Sequence, residues 1–419
     1  MLQTAARLDG LRSDAPCFAA MRRPIARLTG AAALLAVAVA ISITLTPSTI
    51  PGEPLPRPSA TPGASPLATQ PATSSPVESP PDGGGGTARP VELLPVSEAD
   101  AAALQAAVDR ARADLGLGAV VIGVSKDATV GWSGASGRPR DGVTPLSGAT
   151  PFAIASATKT FTAAVVLQLV DEGRIRLDAP VTEYLPELTL AEGVTVQELL
   201  SHTSGIGDLL APMRDRLNAE PTRVWTPAEV LALVGPSRFA PGTDWGYSNT
   251  NYVIAGMLVE RVTGHPYADE LARRITDPLE LTGTGFPPLV AAQNLLGVSW
   301  SSAFWTAAAL DSTADDLVRW ADALYGGAIL RSSSLTRMLD FNDHAYGLGA
   351  ERYALAGLPG YGHSGLLRGF TTLLIHLPDE QITIAVLATG HTFSPSGLLT
   401  HRGNGEPSIL DLAREVSAD

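Results

Sequence analysis

Lysine is almost missing from this chain: 419 residues hold 27 arginines and only two lysines, Lys126 and Lys159. Where nearly every basic position is arginine, a retained lysine suggests a task arginine cannot perform. A guanidinium keeps its proton at workable pH, whereas a buried amine can lose it. Cysteine is scarcer still. Cys17 stands alone, which excludes an intramolecular disulfide and any multi-cysteine metal or redox centre. Positive charge is also short, with 42 acidic against 29 basic residues and a formal net charge of −13. That balance argues against a nucleic-acid partner, which would call for a basic patch or stripe. The chain has no G-x-S-x-G, no H-E-x-x-H and no G-x-x-x-x-G-K-S/T sequence. The usual α/β-hydrolase, zinc-protease and nucleotide-binding readings fall away with them. No metal and no cofactor is expected, and nothing calls for a second subunit, so a monomer is expected.

What is present divides the chain into three. Arg22, Arg23 and Arg27 precede the uncharged run Ala31 to Leu45, AAALLAVAVAISITL. A basic flank before an apolar run reads as a secretory signal or membrane anchor over residues 1–46, with the arginines left on the cytoplasmic side. The run is shorter than the ~20 residues of a full span, and Ala38-Val39-Ala40 offers a cleavage site, so both outcomes stay open. Met21 is an alternative start. Cys17 precedes the run rather than ending it, which disfavours a lipid anchor. Residues 47–95 form a linker: positions 47–90 hold 12 prolines, no aromatic residue and the run Gly83 to Gly86. Such a stretch cannot bury enough apolar surface to order itself and would span roughly 35–40 Å as a coil. The expected location is extracytoplasmic, anchored or secreted, with the membrane met only through the N-terminal segment.

Residues 96–419 read as the globular part. Ser97 to Leu115 has helical spacing, with Ala102, Leu104, Ala107, Val108 and Ala111 as its apolar positions. Ala119–Ser125 and Thr129–Ser133 read as strands around a Lys126-Asp127 turn. A mostly helical stretch follows, from about 156 to 325. Strand patterns return at Tyr346–Leu348, Phe370–His376 and Ile382–Leu387, and a helix at Ile409–Val416 closes the chain. Strands at both ends of a helical middle predict an α+β fold: an antiparallel sheet of about five strands, flanked by helices, with a helical lobe inserted.

Three groups of residues could carry chemistry. Ser156 and Lys159 open a helix that is apolar on nearly every side (Phe161, Ala163, Val165, Val166, Leu167), hence buried. Positions three apart share a face, so the amine can take the serine proton. Trp245-Gly246-Tyr247-Ser248-Asn249 follows the Pro241-Gly242 turn and precedes a helix over 250–262 closed by Gly264. Ser248 or Asn249 could be plain helix caps there; alternatively Tyr247 relays protons and Asn249 holds a substrate carbonyl. Tyr361-Gly362-His363-Ser364-Gly365 lies among glycines 357, 360, 362, 365 and 369. It is either a turn with a surface histidine or a strand edge along which a substrate can lie. Ser201 and His202 are adjacent and cannot easily face each other as nucleophile and base. Trp300, Phe304 and Trp305 read as core rather than pocket lining.

Taken together, Ser-x-x-Lys, Tyr-x-Asn 91 residues later and His-x-Gly 116 residues after that resemble the serine hydrolases related to class C β-lactamases and D-alanyl-D-alanine carboxypeptidases. Leu199-Leu200-Ser201-His202-Thr203-Ser204-Gly205-Ile206, Phe239-Ala240-Pro241-Gly242 and Ser312-Thr313-Ala314-Asp315-Asp316-Leu317 extend the likeness over residues 97–419. The resemblance implies that Ser156 is acylated and that Lys159 and Tyr247 share the base work. Asn249, His363 and Gly365 would bind substrate, and the N–H groups of Ser156 and Leu366 would form the oxyanion hole. His363 stands where class C β-lactamases have lysine, which suits carboxypeptidases, D-aminopeptidases and esterases better, and Arg368 could supply the missing positive charge. The substrate implied is a peptidoglycan-type D-alanyl peptide or a small amide or ester. A broad esterase and a non-catalytic wall-binding or sensor module remain as alternatives.

Overall fold

The computed structural model describes residues 89–138, 145–287, 296–390 and 394–418, all within one compact unit. The expected N-terminal targeting segment and nearly all of the linker lie outside the described residues. Strands β1 (Leu94–Pro95), β2 (Ala119–Lys126) and β3 (Val130–Gly137) come first, with helix α1 (Glu98–Asp114) between β1 and β2. A two-residue β4 (Phe152–Ala153) leads into helix α2 (Thr158–Asp171). The helical middle supplies α3 (Val196–Leu200), α4 (Asn249–Thr263), α5 (Val298–Ala308) and α6 (Ala314–Tyr325), with β5 (Asp311–Ser312) ahead of α6. Strands β6 (Glu351–Leu355), β7 (Leu358–Leu367), β8 (Phe370–Leu377) and β9 (Ile382–Thr389) return to the sheet, and α7 (Ile409–Ala413) ends the chain.

The main sheet runs β1-β3-β2-β9-β8-β7-β6. It has seven strands rather than about five, and it is not wholly antiparallel, because Leu94 and Pro95 pair with Val130 and Gly131 in parallel. Three of the seven, β1, β6 and β7, fall outside the expected strands; β1 and β6 sit at the edges, and β7, which carries the Tyr361–Gly365 segment, lies between β8 and β6. A two-residue strand leaves no periodic signal, and β6 alternates only weakly between exposed and half-buried positions. The strand expected over Tyr346–Leu348 is absent. Its backbone is taken up in a turn, where Gly347 N–H donates to Ala350 at 2.8 Å and Leu348 N–H to Met338 at 3.0 Å. Only Tyr346 bridges to Glu351.

Alternation across the sheet divides the core. Val120, Ile122, Val124, Ile384 and Val386 pack under α1 and α7, while Val121, Leu374, Ala385 and Leu387 face the helical middle. Gly123 lets α6 approach closely: a Cβ there would meet the Ala314 carbonyl at 2.8 Å. Ser97 caps α1 by accepting from Asp100 N–H at 3.1 Å. Of the apolar positions expected on that helix Leu104, Ala107, Val108 and Ala111 are buried, but Ala102 faces solvent. Among the described residues no helix is long and apolar enough to cross a membrane.

Candidate active site

Ser156 is placed by strain at one end and burial at the other. β4 is tied to β5, and Ile154 N–H donates to the Leu310 carbonyl at 3.0 Å. Ala155 then takes a positive φ of 48°, a conformation that costs a non-glycine residue ~1–2 kcal/mol. Residues 155–157 make one 3-10 turn before α2 begins, and Thr158 to Leu167 are all buried. The serine therefore sits at the mouth of a helix that solvent does not reach.

Lys159 is fully buried, with its Nζ 3.2 Å from Ser156 Oγ, 2.8 Å from Asn249 Oδ1 and 2.9 Å from the Ala307 carbonyl. Burial pulls its pKa down to about 7, against the charges of Asp208 and Glu351, which push it up. The three partners suit a neutral amine. Its two N–H bonds reach the two carbonyl-type oxygens, which leaves the lone pair for the serine hydroxyl. Asn249 is oriented by Asp208, whose Oδ1 accepts from Asn249 Nδ2 at 3.0 Å and from its backbone N–H at 2.8 Å. Asn249 is thus the first residue of α4 with its amide already engaged at both ends, and Ser248 is the N-cap by position without a side-chain cap bond.

Tyr247 lies beside Ser156, whose hydroxyl works to lower its pKa, and its ring lies 4.8 Å beneath Lys159 Nζ. Burial raises its pKa well above the ordinary phenol value, so it carries its proton at neutral pH. His202 supports this segment from below. Its Nδ1 accepts from Ser248 N–H and faces Asn251 Nδ2, each at 3.2 Å, and its ring packs 4.3 Å from that of Tyr247. The Ser201-His202 pair therefore has a supporting place rather than a catalytic one; burial above all keeps His202 neutral.

His363 departs from its expected role. It is fully buried, with Nε2 3.0 Å from the Tyr346 hydroxyl and Nδ1 2.6 Å from the Ser364 carbonyl. The carbonyl can only accept, so Nδ1 carries the proton and Nε2 accepts from Tyr346. Burial keeps the ring neutral. It cannot offer a charge to a substrate; it holds Tyr346, whose ring stands edge-on to Tyr247 at 6.2 Å. Behind it Glu351 accepts from Ser364 N–H and Oγ–H, both at 2.9 Å. Burial works against that carboxylate's charge, but His363, Tyr353 and Ser364 together hold its pKa below the usual range. Gly365 is required where it stands, because a Cβ would lie 2.2 Å from the Ile154 carbonyl. β6 pairs with β7 only as far as Gly362, so among the described residues no strand covers the outer edge of 363–367, which includes the 58% exposed Leu366.

Ser156, Lys159, Tyr247, Asn249, His363 and Gly365 thus converge, and Leu366 borders them. Sequence reasoning missed Asp208, Tyr346, Glu351 and the Ala307 carbonyl. Three of these act through long-range contacts with no local spelling, and the fourth is a backbone atom. Among the described residues no cluster of ligands suits a metal ion.

Comparison with known proteins gives the same grouping. The Beta-lactamase family model matches residues 104–403. The chain belongs to the beta-lactamase family. Esterase EstB of Burkholderia gladioli is 37% identical over 202 residues, covering 44% of this chain and 51% of the esterase. A D-aminopeptidase of Cereibacter sphaeroides is 30% identical over 294 residues, covering 63% of this chain and 55% of that protein. The chain therefore spans about half the length of these curated relatives. A D-stereospecific amidohydrolase from Streptomyces sp. superimposes with a TM-score of 0.59 at 32% identity, over 69% of this chain and 94% of that one.

Proposed function

We propose that this beta-lactamase-family protein is an exported serine hydrolase that cleaves amides of D-amino acids, including D-alanyl peptides, through an acyl-enzyme. The observation that carries the reading is the Lys159 amine, fully buried 3.2 Å from Ser156 Oγ, where burial pulls its pKa down to about 7. Lys159 takes the Ser156 proton as Oγ attacks the acyl carbon. The N–H groups of Ser156 and Leu366 receive the developing oxyanion. Tyr247, a protonated phenol, gives its proton to the leaving amine and is reprotonated from Lys159. Water then attacks the ester, losing its proton to the same pair, and Ser156 is restored.

Two observations favour an amine-bearing substrate. Asp208 is only half-buried beside Asn249, and it places a carboxylate at the rim where a substrate ammonium can meet it. The D-stereospecific amidohydrolase matches this chain over nearly its whole length. Buried, neutral His363 removes the charge that a substrate carboxylate would seek at the His-x-Gly motif. The esterase reading is supported by EstB, because the same acyl-enzyme serves an ester. Export rests on the basic and apolar N-terminal segment.

Turnover of D-alanine amide, its L enantiomer, a D-Ala-D-Ala peptide and a short-chain ester, compared in wild type and Ser156→Ala, tests the reading. D-selective amide cleavage lost in the variant is expected. Ester cleavage alone would leave the esterase, and no serine-dependent turnover would leave a binding module.

A further inference from the structure

The β7–β8 hairpin closes on two residues, Arg368 and Gly369, because Leu367 pairs with Phe370. Both have positive φ, 47° and 90°. This is the geometry of the primed two-residue turns that Asn-Gly fills readily. The neighbouring β6–β7 hairpin uses Ala356-Gly357 in the same way. A long arginine is a poor choice for such a position, and the turn itself gains nothing from it.

What the side chain does is visible. The Arg368 guanidinium lies 5.2 Å over the Trp300 ring. That ring is fixed: it is 6% exposed, stacked on Phe304 at 5.7 Å and 8°, and its N–H reaches Asn218 Oδ1 at 3.3 Å. Arg368 itself is exposed and joins no ion pair among the described residues, in a chain with 42 acidic groups. A cation held over a rigid aromatic platform, with no ion-pair partner of its own among the described residues, is placed to meet an anion.

The position relative to Ser156 says which part of a substrate would reach it. Trp300 lies on α5 ahead of the break at Trp305 (φ 35°), and Ala307, the carbonyl partner of Lys159, lies just beyond that break, so one element carries both. Tyr346 packs on Tyr247 and bonds His363, so Tyr247 belongs to the His363 end of the open strand edge. Arg368 is at the opposite end, beyond Leu366. On the mechanism proposed above Tyr247 serves the leaving group, so the acyl half of the substrate runs toward Arg368. We propose that Arg368, seated on Trp300, is a specificity residue that binds a carboxylate carried by the acyl half of the substrate. Exposed Leu366 would cover the apolar spacer between that carboxylate and the scissile carbonyl. This inference rests on the proposed hydrolase reading only for the direction of the acyl group.

The test uses the full chain and a matched pair of ligands, N-succinyl-D-alanine amide and its uncharged counterpart N-butyryl-D-alanine amide. Calorimetric binding in a Ser156→Ala background needs no turnover. The succinyl ligand should bind about tenfold tighter, the scale of one oriented arginine–carboxylate pair at a partly open site. Arg368→Asn should abolish that preference, leave the butyryl affinity unchanged, and raise rather than lower the melting temperature, because asparagine suits the turn. Arg368→Lys should keep only part of the preference, having charge without the guanidinium's paired donors. Equal or undetectable binding of the two ligands, or a preference that survives Arg368→Asn, overturns the proposal. A preference seen in binding, with no turnover of D-alanine amide by the active enzyme, would count against the hydrolase reading and leave this one standing.

Discussion

Two ionisable side chains at the C-terminal end of α5, Lys159 against its Ala307 carbonyl and Asp311 three residues past its last residue, are both fully buried, and the protein treats them in opposite ways. Lys159 has three polar partners. Asp311 lies four residues beyond the Ala307 carbonyl that Lys159 uses, and both of its carboxylate oxygens are buried with no hydrogen-bond partner among the described residues. Burial moves the amine down to about 7 and, unopposed, moves the carboxyl up to about 7. The same desolvation therefore yields a neutral base in one place, where the surroundings can use it, and a neutral acid in the other, where nothing around it requires one. Partners, more than burial, distinguish a site from a liability.

The largest expected effect tests the first half of that contrast. Lys159→Arg keeps the charge but not the deprotonation, and kcat/KM for an amide should fall by about 10²–10⁴, the usual worth of a positioned base. Retention of activity in that variant would show that the amine is not the base.

Asp311 bears on the second half. Between its unfolded value of 3.8 and its folded value of about 7 the folded state holds a proton that the unfolded state has released, so stability falls as pH rises through that window. Above it the full cost is on the order of 4 kcal/mol. Denaturant melts should show Asp311→Asn more stable than wild type at pH 8 and no more stable at pH 4. A gain of equal size at both pH values would mean that ionisation is not the cause. Lys159 runs the other way. The unfolded state holds the extra proton between about 7 and 10.5, so its contribution raises stability with pH there.

A smaller effect comes from the carboxylates near the amine. Asp208 and Glu351 both push the Lys159 pKa up, so Asp208→Asn should move the acidic limb of the kcat/KM profile to lower pH, and Glu351→Gln should do so less. A limb that stays in place in both variants would remove these carboxylates from the account of the base. The smallest is Tyr346→Phe, which deletes the hydrogen bond to His363 Nε2 and leaves a buried acceptor unmade, costing about 1–3 kcal/mol of stability. If instead that variant lost affinity for a substrate carboxylate and kept its stability, His363 would have to be reached by substrate after all.

The same contrast explains what was legible in the sequence. Ser-x-x-Lys could be read because both residues lie on one turn, and the apolar run after it announced burial. Tyr-x-Asn and His-x-Gly could be read as motifs, but their geometry could not. The burial of His363 depends on Tyr346 and Ser364, and the engagement of Asn249 depends on Asp208, 41 residues earlier. β2, β8 and β9 announced themselves by dense β-branched and aliphatic runs, while the edge strands β1 and β6 were too short or too exposed to do so. The turn at 346–349 carries aromatic and aliphatic residues of strand type, yet its Leu348 and Gly349 N–H groups donate to the Met338 and Leu200 carbonyls instead of to a strand. Asp311 gave no sign of its isolation, because a carboxylate's lack of partners is a property of the fold alone.

The central claim, that a neutral Lys159 activates Ser156, is tested most directly by the rate at which an uncharged phosphonate ester labels the protein, followed by intact mass from about pH 5 to 9. The account predicts one adduct, absent in Ser156→Ala, and a labelling rate that rises through an apparent pKa near 7 and then levels as Lys159 gives up its proton. An adduct that persists in Ser156→Ala, or a rate with no inflection across that range, would contradict it.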